Sequence, residues 1–367
     1  MPDLFDYLDW RGDVRFFADP FNEVDNLILS TLAYTDFEGL PEDGSPVAVG
    51  EARDRFFSRH DREKLKAASA ASARAALLLD GMADGARFRG TLICRSLCET
   101  DREKEAQIAA VTFLLDDGTA FAAFRGTDNS LIGWREDFDL SFLPETEGQR
   151  RAAVYLDGAA RFGLPLRAGG HSKGGNFAVY AAAHCKKETR GLLAQVYTND
   201  GPGFRSDTLD FDGYREIFPK IISIVPDTSI IGRLLCADYP RNIVLSSAAG
   251  IAQHDPFTWQ VARNRLVRAE QSDAGRFFEK ALGEWVEQMD DDTRRSFTDT
   301  VFTLFESTGK ETFRDIGESK LKSAEAMIKS MAGLPKEKRG ELARLIGELI
   351  QTGGHTALEV QSSKLKD

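Results

Sequence analysis

Apolar residues recur along this chain in two rhythms. From about residue 107 to 246 they come as short runs bounded by turn residues. Runs at 107–115 and 119–124 flank Asp116-Asp117-Gly118, and an Asp-Gly turn between apolar runs predicts an antiparallel hairpin. Runs at 165–169, 193–198, 221–225 and 242–246 have strand length. Residues 150–162 and 176–187 carry helical spacing between them. Such alternation predicts an α/β fold whose central sheet is mostly parallel and flanked by helices. Upstream, 26–34 is an apolar helix-like run within an N-terminal extension, 51–79 has a helical composition, and glycines interrupt 81–90.

After about residue 256 only the helical rhythm remains. Phe278, Leu282, Trp285, Val286 and Met289 share one stripe; Phe297, Val301, Leu304 and Phe305 a second; Leu342, Leu345, Ile346, Leu349 and Ile350 a third. Asp290 to Asp292, Gly309 and Gly333 to Pro335 separate them. The expected organisation is a domain over 1–256 and an added C-terminal helical region over 257–367. Its stripes would pack on the core or join copies into a homo-oligomer, and 353–367 is expected to be loosely ordered.

With 42% apolar residues the chain can build a large core. Its net charge of −11 argues against nucleic acid as a partner and against adhesion to an anionic membrane. No basic-then-apolar leader opens the sequence, and no run approaches a membrane span, so no transmembrane segment is expected. Cys94, Cys98, Cys185 and Cys236 are too scattered for a disulfide framework. A cytoplasmic protein with reduced thiols is expected. No histidine pair stands at metal-ligand spacing such as H-E-x-x-H, and neither metal nor cofactor is expected.

Chemistry enters at Gly170-His171-Ser172-Lys173-Gly174. A G-x-S-x-G between a strand and a helix is the setting in which a tight turn exposes a serine as a nucleophile. The bland alternative is a serine that caps the helix. The amide of Lys173 is the expected oxyanion donor, and its side chain need not take part. Of five histidines, His60, His171, His184 and His355 are poorly placed to serve as base. His254 lies in a loop soon after a strand, from which an imidazole can reach Ser172. The acid should lie between serine and histidine in sequence. Asp227, directly after the 221–226 strand, fits best; Asp200, Asp238 and Asp255 are rivals. Phe124-Arg125-Gly126-Thr127 ends a strand, and Thr127 could offer its N–H and hydroxyl to an oxyanion.

Phe124-Arg125-Gly126-Thr127, followed by Trp134 and Asp137, resembles the FRG-[ST]…W…D signature of class 3 lipases. Tyr7-Leu-Asp-Trp-Arg-Gly12, Asn199-Asp-Gly-Pro-Gly203, Ser229-Ile-Ile-Gly232 and Gln253-His-Asp-Pro256 resemble a bacterial α/β-hydrolase family related to those lipases. The likeness spans roughly residues 5 to 260. It implies the α/β-hydrolase fold, Ser172 as nucleophile, Asp227 as acid, His254 as base, and Thr127 with Lys173 as oxyanion donors. It also implies that residues 128–137 form either a small lid or a covering turn. The expected activity is hydrolysis of a small-molecule or lipid-like carboxylic ester. The competing expectation is an inactive hydrolase fold that binds a ligand or partner.

Overall fold

The computed structural model describes residues 2–37, 45–68, 71–209, 211–345 and 347–348. Eight strands form one sheet in chain order. They are β1 (Val47–Ala48), β2 (Leu92–Asp101), β3 (Ala106–Leu114), β4 (Ala120–Phe124), β5 (Leu166–His171), β6 (Leu193–Asn199), β7 (Ile221–Pro226) and β8 (Arg241–Val244). β1 to β4 pair antiparallel, and β4 to β8 pair parallel. The expected hairpin is β3–β4, closed by Leu115 N–H on Thr119 O at 2.9 Å with Gly118 at φ +77°. β2 has no clear signal in the sequence. Arg95, Ser96, Glu99 and Thr100 interrupt its apolar residues, because much of this strand is exposed.

Nine helices enter the argument: α1 (Leu4–Arg11), α2 (Glu23–Leu32), α3 (Leu131–Asp139), α4 (Glu147–Ala159), α5 (Lys173–His184), α6 (Asp273–Glu287), α7 (Asp291–Glu306), α8 (Phe313–Glu318) and α9 (Lys320–Gly333). Every residue of β4 is buried, as a strand covered on both faces requires. Phe121 and Ala123 point into one core with Leu27, Ile28 and Leu32 of α2. Ala120, Ala122 and Phe124 point into the other with Leu156 of α4 and Phe177 of α5. This is the α/β fold with a mostly parallel sheet that the alternating pattern predicts, in the α/β-hydrolase arrangement that the resemblance implies.

The N-terminal segment is part of the core. Arg87, fully buried, donates to both carboxylate oxygens of Asp25 in α2 and to the carbonyls of Val14, Asp19 and Pro20. Five donors of one planar guanidinium thereby tie α2 to the loop before it. Tyr7 of α1 donates to the same carboxylate at 2.9 Å.

Residues 267–269 return to β8, with Leu245 N–H on Val267 O at 2.9 Å and Ala269 N–H on Ile243 O at 3.0 Å. The C-terminal helices then begin at α6, capped by Ser272 on Gly275 N–H. They pack on the sheet domain through α3: Phe138 meets Phe302 and Phe297, and Trp134 meets Phe313 edge-on at 5.7 Å. Ile346, Leu349, Ile350 and 353–367, and the side chains of Phe278 and Leu282, lie outside what the structure describes. No helix among the described residues is long and apolar enough to cross a membrane.

Candidate active site

Ser172 sits between β5 and α5 with φ 60° and ψ −135°, a conformation costly for a residue with a Cβ. Two close approaches enforce it. A Cβ on Gly174 would stand 2.1 Å from Phe124 O, so only glycine lets α5 start against the end of β4. A Cβ on Gly126 would stand 2.8 Å from Ser172 Cβ, which shows how closely the Arg-Gly-Thr turn is pressed on the serine. Ser172 heads α5 but makes no side-chain capping bond. The helix-cap reading is therefore not what its hydroxyl does.

The carboxylate that meets His254 is Asp200, and this corrects the assignment of Asp227. His254 Nδ1 lies 2.6 Å from Asp200 Oδ2. Asp200 is fully buried and also accepts from Ser229 Oγ at 2.6 Å and Gly232 N–H at 3.1 Å. Asp227 instead accepts Ser272 N–H at 2.7 Å, joining the end of β7 to the start of α6. Sheet order gives the reason. β6 is the direct neighbour of β5, with Asn199 opposite His171, so the residue after β6 emerges beside the elbow. The end of β7 is a second strand away, roughly 10 Å from β5 at sheet spacing. Asp238 receives the Tyr214 hydroxyl, and Asp255 pairs with Arg74 and caps the next turn.

The other ring nitrogen, His254 Nε2, has no hydrogen-bond partner among the described residues, and neither has Ser172 Oγ. The base loop is held from several sides. Trp259, fully buried, donates its indole N–H to Gln253 O at 2.8 Å. Gln253 accepts Thr228 N–H and donates to Ala248 O.

His171, set aside as a base candidate, has a supporting role that the sequence does not signal. Its Nε2 is 2.7 Å from His254 O, and its Nδ1 is 3.0 Å from the Tyr34 hydroxyl. A carbonyl can only accept, so Nε2 carries the proton and Nδ1 accepts from Tyr34. Burial, helped by the neighbouring His254 ring, holds His171 well below the usual imidazole range and keeps it neutral. Burial likewise raises the Tyr34 phenol, so it stays a donor, while Gly126 N–H supports its oxygen. A chain of polar contacts thus runs from the Arg-Gly-Thr turn, through Tyr34 of the N-terminal extension, to the backbone of His254. Asn26 and Ser30 of α2 add a second set on Asn199, which precedes Asp200.

On the opposite side stand Thr127 and Lys173. Neither N–H has a protein acceptor among the described residues. The Thr127 hydroxyl is committed to Asp137 Oδ2 at 2.5 Å, which leaves its backbone N–H as its uncommitted donor. Burial, opposed by the charge of Lys173, pushes the Asp137 carboxyl up to about 6. Lys173 is itself fully buried, and its Nζ donates to Glu136 Oε2 at 3.0 Å and Gly133 O at 3.2 Å. That geometry removes Lys173 as a base for Ser172. Glu136 also accepts Gln107 N–H and Gly148 N–H, both at 2.9 Å. The segment 128–137 is consequently a covering helix start anchored by a buried ion pair. Leu131 is buried and Trp134 is packed on Phe313.

A family model described as Mbeg1-like matches residues 82–303, well over half of the chain. No curated protein matches it by sequence at a significant level. Among solved structures, M37 lipase aligns at 14% identity over 56% of this chain and 68% of that one, with a TM-score of 0.35. The lipase from Rhizopus microsporus var. chinensis aligns at 16% identity over 50% of this chain and 74% of its own, with a TM-score of 0.34. Extracellular LipA from Serratia marcescens aligns at 17% identity over 57% and 39%, with a TM-score of 0.32. Overlap this slight says nothing about what this chain acts on.

Proposed function

The chain belongs to the Mbeg1-like family, and we propose that it is a serine hydrolase of carboxylic esters acting through Ser172, His254 and Asp200. The observation that carries the reading is the 2.6 Å contact of His254 Nδ1 with buried Asp200, beside a serine held in a strained elbow. A carboxylate that already takes Ser229 O–H and Gly232 N–H accepts the Nδ1 proton as well. Nε2 then carries the lone pair, as a base for Ser172 requires.

In the proposed reaction His254 Nε2 takes the Ser172 hydroxyl proton as Oγ attacks the ester carbonyl. The negative oxygen of the tetrahedral intermediate lies on the N–H groups of Lys173 and Thr127. Collapse breaks the carbonyl–alkoxy bond, and His254 returns the proton to the leaving alcohol. Water, deprotonated by the same imidazole, then cleaves the acyl-enzyme and restores Ser172. The substrate class is a small-molecule or lipid-like ester.

A fluorophosphonate probe tests the reading directly. Folded wild-type protein should be labelled and Ser172→Ala should not, with p-nitrophenyl ester turnover lost in parallel. An unlabelled, well-folded wild-type protein would leave the inactive, partner-binding reading standing.

A further inference from the structure

Helix α9 leaves most of its large apolar side chains exposed. The residues it sets against α7 and α8 are Ser323, which is buried, and the partly buried Ala326, Met327 and Ser330. Three of its four large apolar side chains face water: Leu321 is 89% exposed, Ile328 69% and Met331 41%, while Met327 is partly buried. At 100° per residue, Met331, Ala324, Ile328, Leu321 and Ala332 make one unbroken stripe about 100° wide. Lys322 and Lys329 line one edge of it, beyond Glu325, and Lys320 lines the other. All three lysines are exposed, and none has an ion-pair partner among the described residues.

Charge is distributed unevenly to match. Residues 320–339 hold six Lys or Arg against two Glu, within a chain of net charge −11. The overall charge points away from anionic membranes, but this helix and the segment after it reverse the sign locally. An exposed apolar stripe edged by lysines is the pattern of a helix that lies in a membrane interface. We propose that α9 docks the protein on the surface of a bilayer containing anionic phospholipid. The apolar stripe would sit at the acyl boundary, with Lys320, Lys322 and Lys329 reaching back to the headgroups. The segment that leads into α8 and α9 is tied to the chain just after Thr127. Where α8 begins, Phe313 N–H bonds Asn129 O and Leu131 N–H bonds Glu311 O, a few residues after Thr127. A protein seated this way takes its ester from the lipid surface.

The inference goes beyond the catalytic reading and is tested without catalysis. Full-length Ser172→Ala protein is sedimented with phosphatidylcholine vesicles, alone or with about 30 mol% phosphatidylglycerol. Partition should be at least about tenfold stronger on the anionic vesicles and should weaken with salt. Leu321→Glu/Ile328→Glu should abolish it, and Lys322→Glu/Lys329→Glu should weaken it by about fivefold per lysine or more. Val154→Glu, which charges an exposed apolar residue on α4, should leave it unchanged. Circular dichroism melts check that each variant is folded. Equal partition on both vesicles, no partition at all, or full binding by folded Leu321→Glu/Ile328→Glu overturns the proposal. So does a dimer that ignores vesicles and dissociates in that variant, since a second copy would then cover the stripe.

Discussion

Replacing Asp200 by Asn separates the two candidate acids by orders of magnitude. The Asp200 carboxylate accepts three donors: His254 Nδ1–H, Ser229 O–H and Gly232 N–H. An Asn has one acceptor oxygen, which Ser229 and Gly232 compete for, so its NH₂ turns toward the imidazole. Nδ1 must then accept, the ring proton moves to Nε2, and the base no longer has a lone pair facing Ser172. Loss of the correct tautomer in such a triad lowers kcat by about 10⁴, or roughly 5 kcal/mol of barrier. Asp227→Asn should leave kcat within about twofold, because an amide oxygen can still accept Ser272 N–H. Asp227→Ala removes that bond and should cost about 1 kcal/mol of stability, again with little effect on turnover. The assay is steady-state hydrolysis of a soluble p-nitrophenyl ester, with burst titration to count working sites. If Asp200→Asn retained activity within tenfold of wild type while Asp227→Asn lost a thousandfold, the acid assignment and the sheet-order argument behind it would both fail.

Two further predictions concern the buried charges of α3. Lys173→Met leaves Glu136 charged and buried, and should destabilise the protein by about 3–5 kcal/mol in urea unfolding; Lys173→Met/Glu136→Gln should recover much of that, and no recovery would argue against the pair as the cause. Burial pushes the Asp139 carboxyl up to about 7. A carboxyl that is easier to protonate in the folded than the unfolded state costs stability as pH rises through about 4 to 7. Asp139→Asn should therefore be more stable than wild type by a few kcal/mol at pH 8, with no difference below about pH 4; a variant that is less stable at pH 8 contradicts this.

Much of the site is legible in the residues themselves. Ser172, the proposed nucleophile, stands out from glycine spacing between a strand and a helix, because the backbone crossing at Gly174 admits no side chain. His254, the proposed base, stands out because few histidines compete for the role and a strand end precedes it. The parallel sheet follows from apolar runs whose residues are buried on both faces. These are local properties, set within a dozen residues of chain.

The proposed acid is not local. Asp200 and Asp227 both follow strands, and only the lateral order of those strands places one beside Ser172 and the other at the root of α6. Nor do Tyr34 and Glu136 announce themselves. Each lies far from Ser172 in sequence and acquires its contact only when α2 or α3 docks on the elbow. The outward apolar stripe of α9 is ambiguous in the same way. Its helical period is plain in the sequence, but which arc meets the protein and which meets solvent depends on how α9 settles on α7 and α8. Periodicity and turn chemistry fix elements because they act between neighbours, whereas pairings between distant segments depend on the whole chain folding.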